Sequence, residues 1–140
     1  MNVEIKFGTK HLNWSEVCQL FERAPLGSRE PDRLRRASEQ SSIVCSAYDD
    51  EMLVGFGRAI SDGEYYSAVY DVVVLPEYQG WGIGRTIMKA LLECLPSGSV
   101  LILSVPGKEG FYKKLGFEVL KTGMGIFSDP EKARENGYIV

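Results

Sequence analysis

Several things are scarce in this chain, and each scarcity closes off a class of function. No stretch approaches the roughly 20 consecutive apolar residues that a membrane span needs. The opening MNVEIKFGTK also lacks the apolar run of a signal peptide, so a soluble, cytoplasmic protein with no membrane partner is expected. Histidine occurs once, at His11, ahead of the first expected helix; this excludes a histidine metal cluster and disfavours a Ser-His or Cys-His nucleophile centre. The three cysteines, Cys18, Cys45 and Cys94, are odd in number, far apart and each set in an apolar segment. That pattern suits buried small hydrophobes better than a disulfide framework or a thiolate metal site, so no metal is expected. Positive charge is short as well: a formal charge of -3 and a pI near 5.2 do not suit a general nucleic-acid binder. Internal repeats and low-complexity segments are also missing.

What is present suffices for one core. Of 140 residues, 44% are hydrophobic, which predicts a single domain over residues 1–140. Val3 to Phe7 alternates as a short strand, and Trp14, Val17, Leu20, Phe21 and Ala24 recur at helical spacing within Asn13 to Ala24. Arg29 to Gln40 is mostly polar, with Pro31 placed for a first turn, and predicts a surface helix. Next come three antiparallel strands, Ile43 to Tyr48, Met52 to Ile60 and Tyr65 to Leu75, joined by turns at Asp49-Asp50-Glu51 and Ser61-Asp62-Gly63-Glu64. Gly55 and Gly57, inside the second of these, signal a bulge or a close backbone approach. Ile83, Ile87, Ala90, Leu91, Cys94 and Leu95 form a further helical stripe that Pro96-Ser97-Gly98 stops. Val100 to Val105 is a continuous apolar run, expected as a central strand covered on both faces. Lys108 to Leu115 has room for a short helix ended by Gly116, Phe117 to Leu120 starts another strand, and Asp129 to Val140 reads as a short helix or tail.

The most informative stretch runs from Val72-Val73-Val74 through Leu75 and Pro76 to Gln79-Gly80-Trp81-Gly82-Ile83-Gly84-Arg85: a strand, a proline stop, then three alternate glycines opening a helix. Glycine permits positive φ and close approach of a ligand, and the first N–H groups of a helix have no internal partner. A pyrophosphate there would accept those hydrogen bonds and meet the positive end of the helix dipole. A dinucleotide fold requires G-x-G-x-x-G, and Arg85 stands where its third glycine would be; no G-x-x-x-x-G-K-[S/T] string exists either.

These residues resemble the GNAT superfamily of N-acetyltransferases, whose pyrophosphate motif, Arg/Gln-x-x-Gly-x-Gly/Ala, is matched by Gln79-x-x-Gly82-x-Gly84. A second signature, an aromatic-Tyr pair before a basic turn ending in Gly-Phe, is matched by Phe111-Tyr112-Lys113-Lys114-Leu115-Gly116-Phe117, in the family's order and at its separation. The resemblance implies an α/β (α+β) GNAT fold, a mixed central β-sheet of about six or seven strands with a splayed pair, flanked by about four helices. It implies direct attack of an amine on the thioester of acetyl-CoA in a ternary complex, without an acyl-enzyme. Backbone groups of Val72, Val73 and Val74 would bond the pantetheine arm. Those of Gln79, Gly80, Trp81, Gly82, Ile83, Gly84 and Arg85, with Thr86 beside them, would hold the pyrophosphate. Arg85, Lys89, Lys113 and Lys114 would help to neutralise phosphates.

By the same resemblance Tyr112 contacts the cofactor and is the general acid that protonates the leaving thiolate; phenol and thiol pKa values of about 10 and 8.5 make that transfer reasonable. The base is less defined. The motif alignment puts Ala68 and Tyr70 on the face that looks into the site and Asp71 on the other. Tyr70 and Glu64 are the base candidates, with Tyr66, Asp71 and a chain of water molecules as alternatives. Many family members place an Asn seven residues before the tyrosine, where this chain has Val105, with Ser104 or a backbone group as a substitute contact. The expected partners are acetyl-CoA and a small amine, and dimerisation, common among family members, implies a candidate homodimer. A protein or peptide acetyltransferase, with Arg29 to Gln40 framing a groove, and a non-catalytic acyl-CoA-binding regulatory module are the competing functions.

Overall fold

The computed structural model describes residues 2–140. They fall into two compact units, the first running to Ile102 and the second from Leu103 to Val140. The first unit contains β1 (Val3–Phe7), α1 (Trp14–Arg23), α2 (Pro31–Glu39), β2 (Ile43–Asp49), β3 (Met52–Ser61), β4 (Tyr66–Val74), a 3-10 turn at Pro76–Tyr78, α3 (Ile83–Cys94) and β5 (Ser99–Ile102). The second contains α4 (Glu109–Lys113) and α5 (Pro130–Glu135).

The helices start where side chains can serve their open N–H groups. Asn13 accepts from the amides of Ser15 and Glu16 at the head of α1, and Glu30 accepts from those of Asp32 and Arg33 at the head of α2. The strands form one mixed sheet in the order β1-β2-β3-β4-β5, antiparallel except for the parallel β4–β5 pair. Alternation along β3 divides the core. Phe56 points to α1, where Trp14 and Phe21 meet its ring edge-on, while Gly55 and Gly57 point to α3. A Cβ on Gly55 would lie 2.7 Å from Ile87 Cδ1, and one on Gly57 would lie 2.8 Å from Ile87 Cγ2. Both glycines therefore admit the helix, and the register of β3 against β4 also slips beside Gly57, so close approach and bulge coincide.

Several expectations change. The sheet has five strands rather than six or seven, and there are five α-helices rather than four among the described residues. The run Val100 to Val105 is not a central strand: β5 stops at Ile102 and lies at the sheet edge, with Leu101 and Leu103 exposed. Phe117 to Leu120 forms no strand, and Val119 and Leu120 are exposed. An apolar run becomes a strand only where another backbone pairs with it, and no pairing to this segment is present among the described residues. Cys18 and Cys45 are buried as expected, but Cys94, in the last turn of α3, is exposed. Burial pushes the Cys45 thiol up to about 12 and raises that of Cys18. Gly116 ends α4 at φ 97, with the Phe117 amide donating to the Tyr112 carbonyl, as the helix-stop reading requires.

Candidate acyl-donor site

The glycine turn is anchored on both sides before it reaches α3. Leu75 is buried, and its amide donates to the Val54 carbonyl. The Tyr78 hydroxyl donates to Asp49 Oδ2 at 2.6 Å, tying the 3-10 turn to the β2–β3 hairpin. The Gln79 side chain reaches back to the Val74 carbonyl at 3.1 Å, and its amide donates to Pro76. The turn between Gln79 and α3 is thereby fixed at both ends and open in the middle.

Gly80 and Gly82 have φ of 85° and 82°, and Gly82 is the N-cap of α3 without any side-chain cap. A Cβ at either position would meet nothing within 4 Å, so conformation rather than crowding demands glycine, and the space in front is free. The Thr86 amide and hydroxyl both bond the Gly82 carbonyl at 3.0 Å. Among the described residues, no acceptor meets the amides of Gly80, Trp81, Gly82, Ile83, Gly84 or Arg85. The first turn of α3 carries no acidic residue and does carry Arg85. Unpaired amides, the positive end of the dipole and an arginine converge on one exposed turn, which is what a pyrophosphate needs. The residues present therefore fit the phosphates of CoA; Gln79 and Thr86 shape the turn, since their own amides are already taken.

The strand leading to the turn also leaves backbone open. Pairing of β4 with β5 ends at Val69 and Ile102, while β4 continues to Val74, so Val72, Val73 and Val74 keep an edge without a strand partner among the described residues. Opposite Gly57, the pairs Arg58 with Tyr70 and Phe56 with Val73 leave both Asp71 and Val72, which places a bulge in β4. Asp71 sits there at φ 58, a sparsely populated region for a residue with a side chain. The bulge resets the alternation and overturns the expectation that Asp71 faces away from Tyr70. Arg58 Nε donates to Asp71 Oδ2 at 2.7 Å while its guanidinium lies 5.5 Å from the centre of the Tyr70 ring. Arg29 donates to Asp71 Oδ1 at 3.1 Å and lies over the Phe21 ring. Both carboxylate oxygens are thus engaged by guanidinium groups.

The other base candidates are dispersed. Glu64 is exposed in the β3–β4 turn, where Asp62 accepts from the amides of Glu64, Tyr65 and Tyr66. Glu64 precedes β4, whose first residue, Tyr66, is six strand steps of about 3.3 Å, roughly 20 Å, from Val72. Tyr66 is exposed near the same end. Tyr70, two positions before Val72, is the candidate nearest the open strand edge, and its ring carries the Arg58 guanidinium. His11 Nε2 does lie 2.9 Å from Ser46 Oγ, yet Ser46 is wholly buried between β1 and β3, so the pair has no access to a substrate. Arg29 and Arg58 escape a motif-based reading. For Arg58 a signal exists: it is the one charged residue within Met52 to Ile60, and a charge in a core strand needs a partner.

Tyr112 belongs to the second unit. Its ring is packed edge-on against Phe111 and Phe117, and its hydroxyl makes no hydrogen bond among the described residues. Burial raises its pKa, with the Tyr138 phenol adding to the effect. Val105 begins the turn before α4, its carbonyl accepting from the Lys108 amide. A cavity of about 310 Å³ opens elsewhere, lined by residues including Phe7, Thr9, Ser38 and Ser41; none of the glycine-turn residues borders it. No group of side chains among the described residues could hold a metal ion, and no helix there is long and apolar enough to cross a membrane.

Comparison with known proteins agrees with this geometry. A family model described as an acetyltransferase (GNAT) domain matches residues 40–119, which takes in both the glycine turn and Tyr112. An uncharacterized N-acetyltransferase, ycf52, of Porphyra purpurea is 33% identical over 116 residues, covering 78% of this chain and 67% of its own length. Serotonin N-acetyltransferase 2, chloroplastic, of Oryza sativa subsp. japonica is 36% identical over 113 residues, covering 76% of this chain and 56% of its own. This chain thus spans between about half and two thirds of such relatives. Among solved structures, a GNAT-family acetyltransferase of Streptococcus pneumoniae superposes with a TM-score of 0.77 at 28% identity, covering 90% of this chain and 96% of that one.

Proposed function

The chain belongs to the GNAT family of acetyltransferases, and from that membership we propose that it transfers the acetyl group of acetyl-CoA to a primary amine of a small molecule in a ternary complex. The observation that carries the reading is the set of open amides from Gly80 to Arg85 at the head of α3. They hold the pyrophosphate, and the free edge of Val72 to Val74 holds the pantetheine arm by backbone hydrogen bonds. Bound acetyl-CoA supplies the thioester carbonyl that the amine attacks and the thiolate that leaves. Tyr112 is assigned as general acid for that thiolate by its match to the family's second signature alone; a phenol is protonated at neutral pH, and burial moves its pKa further up. Because Asp71 is engaged by two arginines and Glu64 lies at the far end of β4, the ammonium proton passes to water, with Tyr70 as the side chain nearest to relay it.

The rice relative is named for a small amine, serotonin, which supports that reading, while a relative from Glycine max, 30% identical over 117 residues, is named a histone acetyltransferase and makes a peptide the second reading. The test is to incubate the protein with acetyl-CoA and a panel of amines, measure free thiol, and search a peptide library for acetylation by mass spectrometry. Thiol release with small amines and no modified peptide is expected. Modified peptides would move the assignment to a peptide acetyltransferase. CoA binding by calorimetry without turnover of either class would leave only a binding module.

A further inference from the structure

The cluster around Asp71 holds one more charge than it needs. Arg58 is 15% exposed and is fixed by two bonds, to Asp71 and, through Nη1, to Ser41 Oγ at 3.1 Å. It alone matches the charge of the Asp71 carboxylate, which is 12% exposed. Arg29 adds a second cation, 37% exposed. It makes a single hydrogen bond, from Nη2 to Asp71 Oδ1, and its guanidinium carbon lies 4.7 Å from the centre of the Phe21 ring. The remaining N–H groups of Arg29 have no acceptor among the described residues. Nearby Glu30 does not compete, since its carboxylate caps α2.

A guanidinium set over a buried ring and bonded to one carboxylate oxygen is pre-oriented, and it is partly exposed with its remaining N–H groups open. Such a fork suits carboxylate or phosphate, and little rotamer entropy is lost when it binds one. The place is as telling as the geometry. Asp71 directly precedes Val72, where the proposed acyl-donor strand begins, and exposed Tyr70 lies on the same guanidinium cluster. We infer that the acceptor amines of this protein carry an anionic group, carboxylate or phosphate, which Arg29 binds while Arg58 keeps Asp71 neutralised. This rests on the acetyltransferase reading and narrows its substrate class.

The test compares amines in matched pairs: tyrosine with tyramine, and phosphoethanolamine with ethanolamine. For the wild type, kcat/KM should be at least tenfold higher for the anionic member of at least one pair, and which pair tells carboxylate from phosphate. Arg29→Gln should reduce that preference at least tenfold, mainly through KM, and Arg29→Lys should restore part of it. Calorimetry on CoA-saturated protein should show the same loss in affinity for the preferred anionic amine. Neutral amines turned over as well as their anionic partners, or an Arg29→Gln effect equal on both members, overturns the inference and leaves the acetyltransferase reading intact. Absence of CoA binding together with absence of turnover overturns both.

Discussion

Gly82 concentrates the case for the cofactor in one residue. Its φ of 82° would be strained for any other side chain, by roughly 1–3 kcal/mol, yet a methyl there meets no protein atom. Gly82→Ala should therefore fold, with a melting temperature lowered by several degrees, and should lose at least tenfold in CoA affinity, because the added Cβ stands in front of the amides. Unchanged affinity in calorimetry would mean that the phosphates bind elsewhere. Tyr112 makes a second residue-scale prediction. Its ordinary value is near 10, and burial raises it, so the phenol stays protonated in the folded protein to higher pH than in the unfolded chain. The stabilisation tied to the neutral phenol is then full below pH 10 or so and is lost as pH climbs through the raised value. Activity should rise with pH as the amine substrate loses its proton, and fall only above about pH 10. Tyr112→Phe should lower kcat at least tenfold and remove that alkaline fall; a variant with the wild-type profile would strip Tyr112 of its assigned role.

At the scale of elements, the packing of α3 on β3 depends on two missing side chains. An added methyl at Gly55 lies 2.7 Å from Ile87 Cδ1, and Ile87 is fully buried with nowhere to turn. Gly55→Ala should destabilise by roughly 1–3 kcal/mol. Ile87→Val, which deletes that Cδ1, should cost about 1 kcal/mol alone. Together they should cost clearly less than their sum in denaturant unfolding, because the second change removes the clash made by the first. Additive costs would refute the contact. The same elements show what was legible in the sequence. Periodicity places α1, α3 and the β2–β3–β4 meander, Pro31 at the head of a polar segment places α2, and the paired glycines announce the close approach. The turn at Gly80 to Gly84 is legible because its function resides in backbone, which glycine spacing encodes. Asp71 is not: a bulge shifts side-chain alternation by one residue, and nothing in Tyr70-Asp71-Val72 marks it. The edge position of β5 and the unpaired Phe117 to Leu120 are hidden for a related reason, since strand pairing is a property of two segments and an apolar pattern describes only one.

At the scale of the molecule, burial is divided unevenly between the two units. Nearly all buried apolar side chains lie before Leu103, and among the described residues of Leu103–Val140 only Ala133 is buried to the same degree. Met124 and Ile126 are fully exposed, and the stretch between α4 and α5 forms no regular element. Opening free energy follows local burial and hydrogen bonding, so the units should differ in amide exchange. β3, laddered to β2 on one side and β4 on the other, should exchange only through global unfolding. Residues 117–127 should exchange within the dead time of a manual experiment, and α4 and α5 should fall between. Saturating CoA adds a second contrast. Gly80 to Arg85, whose amides are open without ligand, should slow at least tenfold once they donate to phosphate, while β3 changes only as overall stability does. If Tyr112 meets the bound thioester, α4 should slow with them. Protection confined to the glycine turn, with α4 exchanging as before, would keep the phosphate site and withdraw Tyr112 from the chemistry.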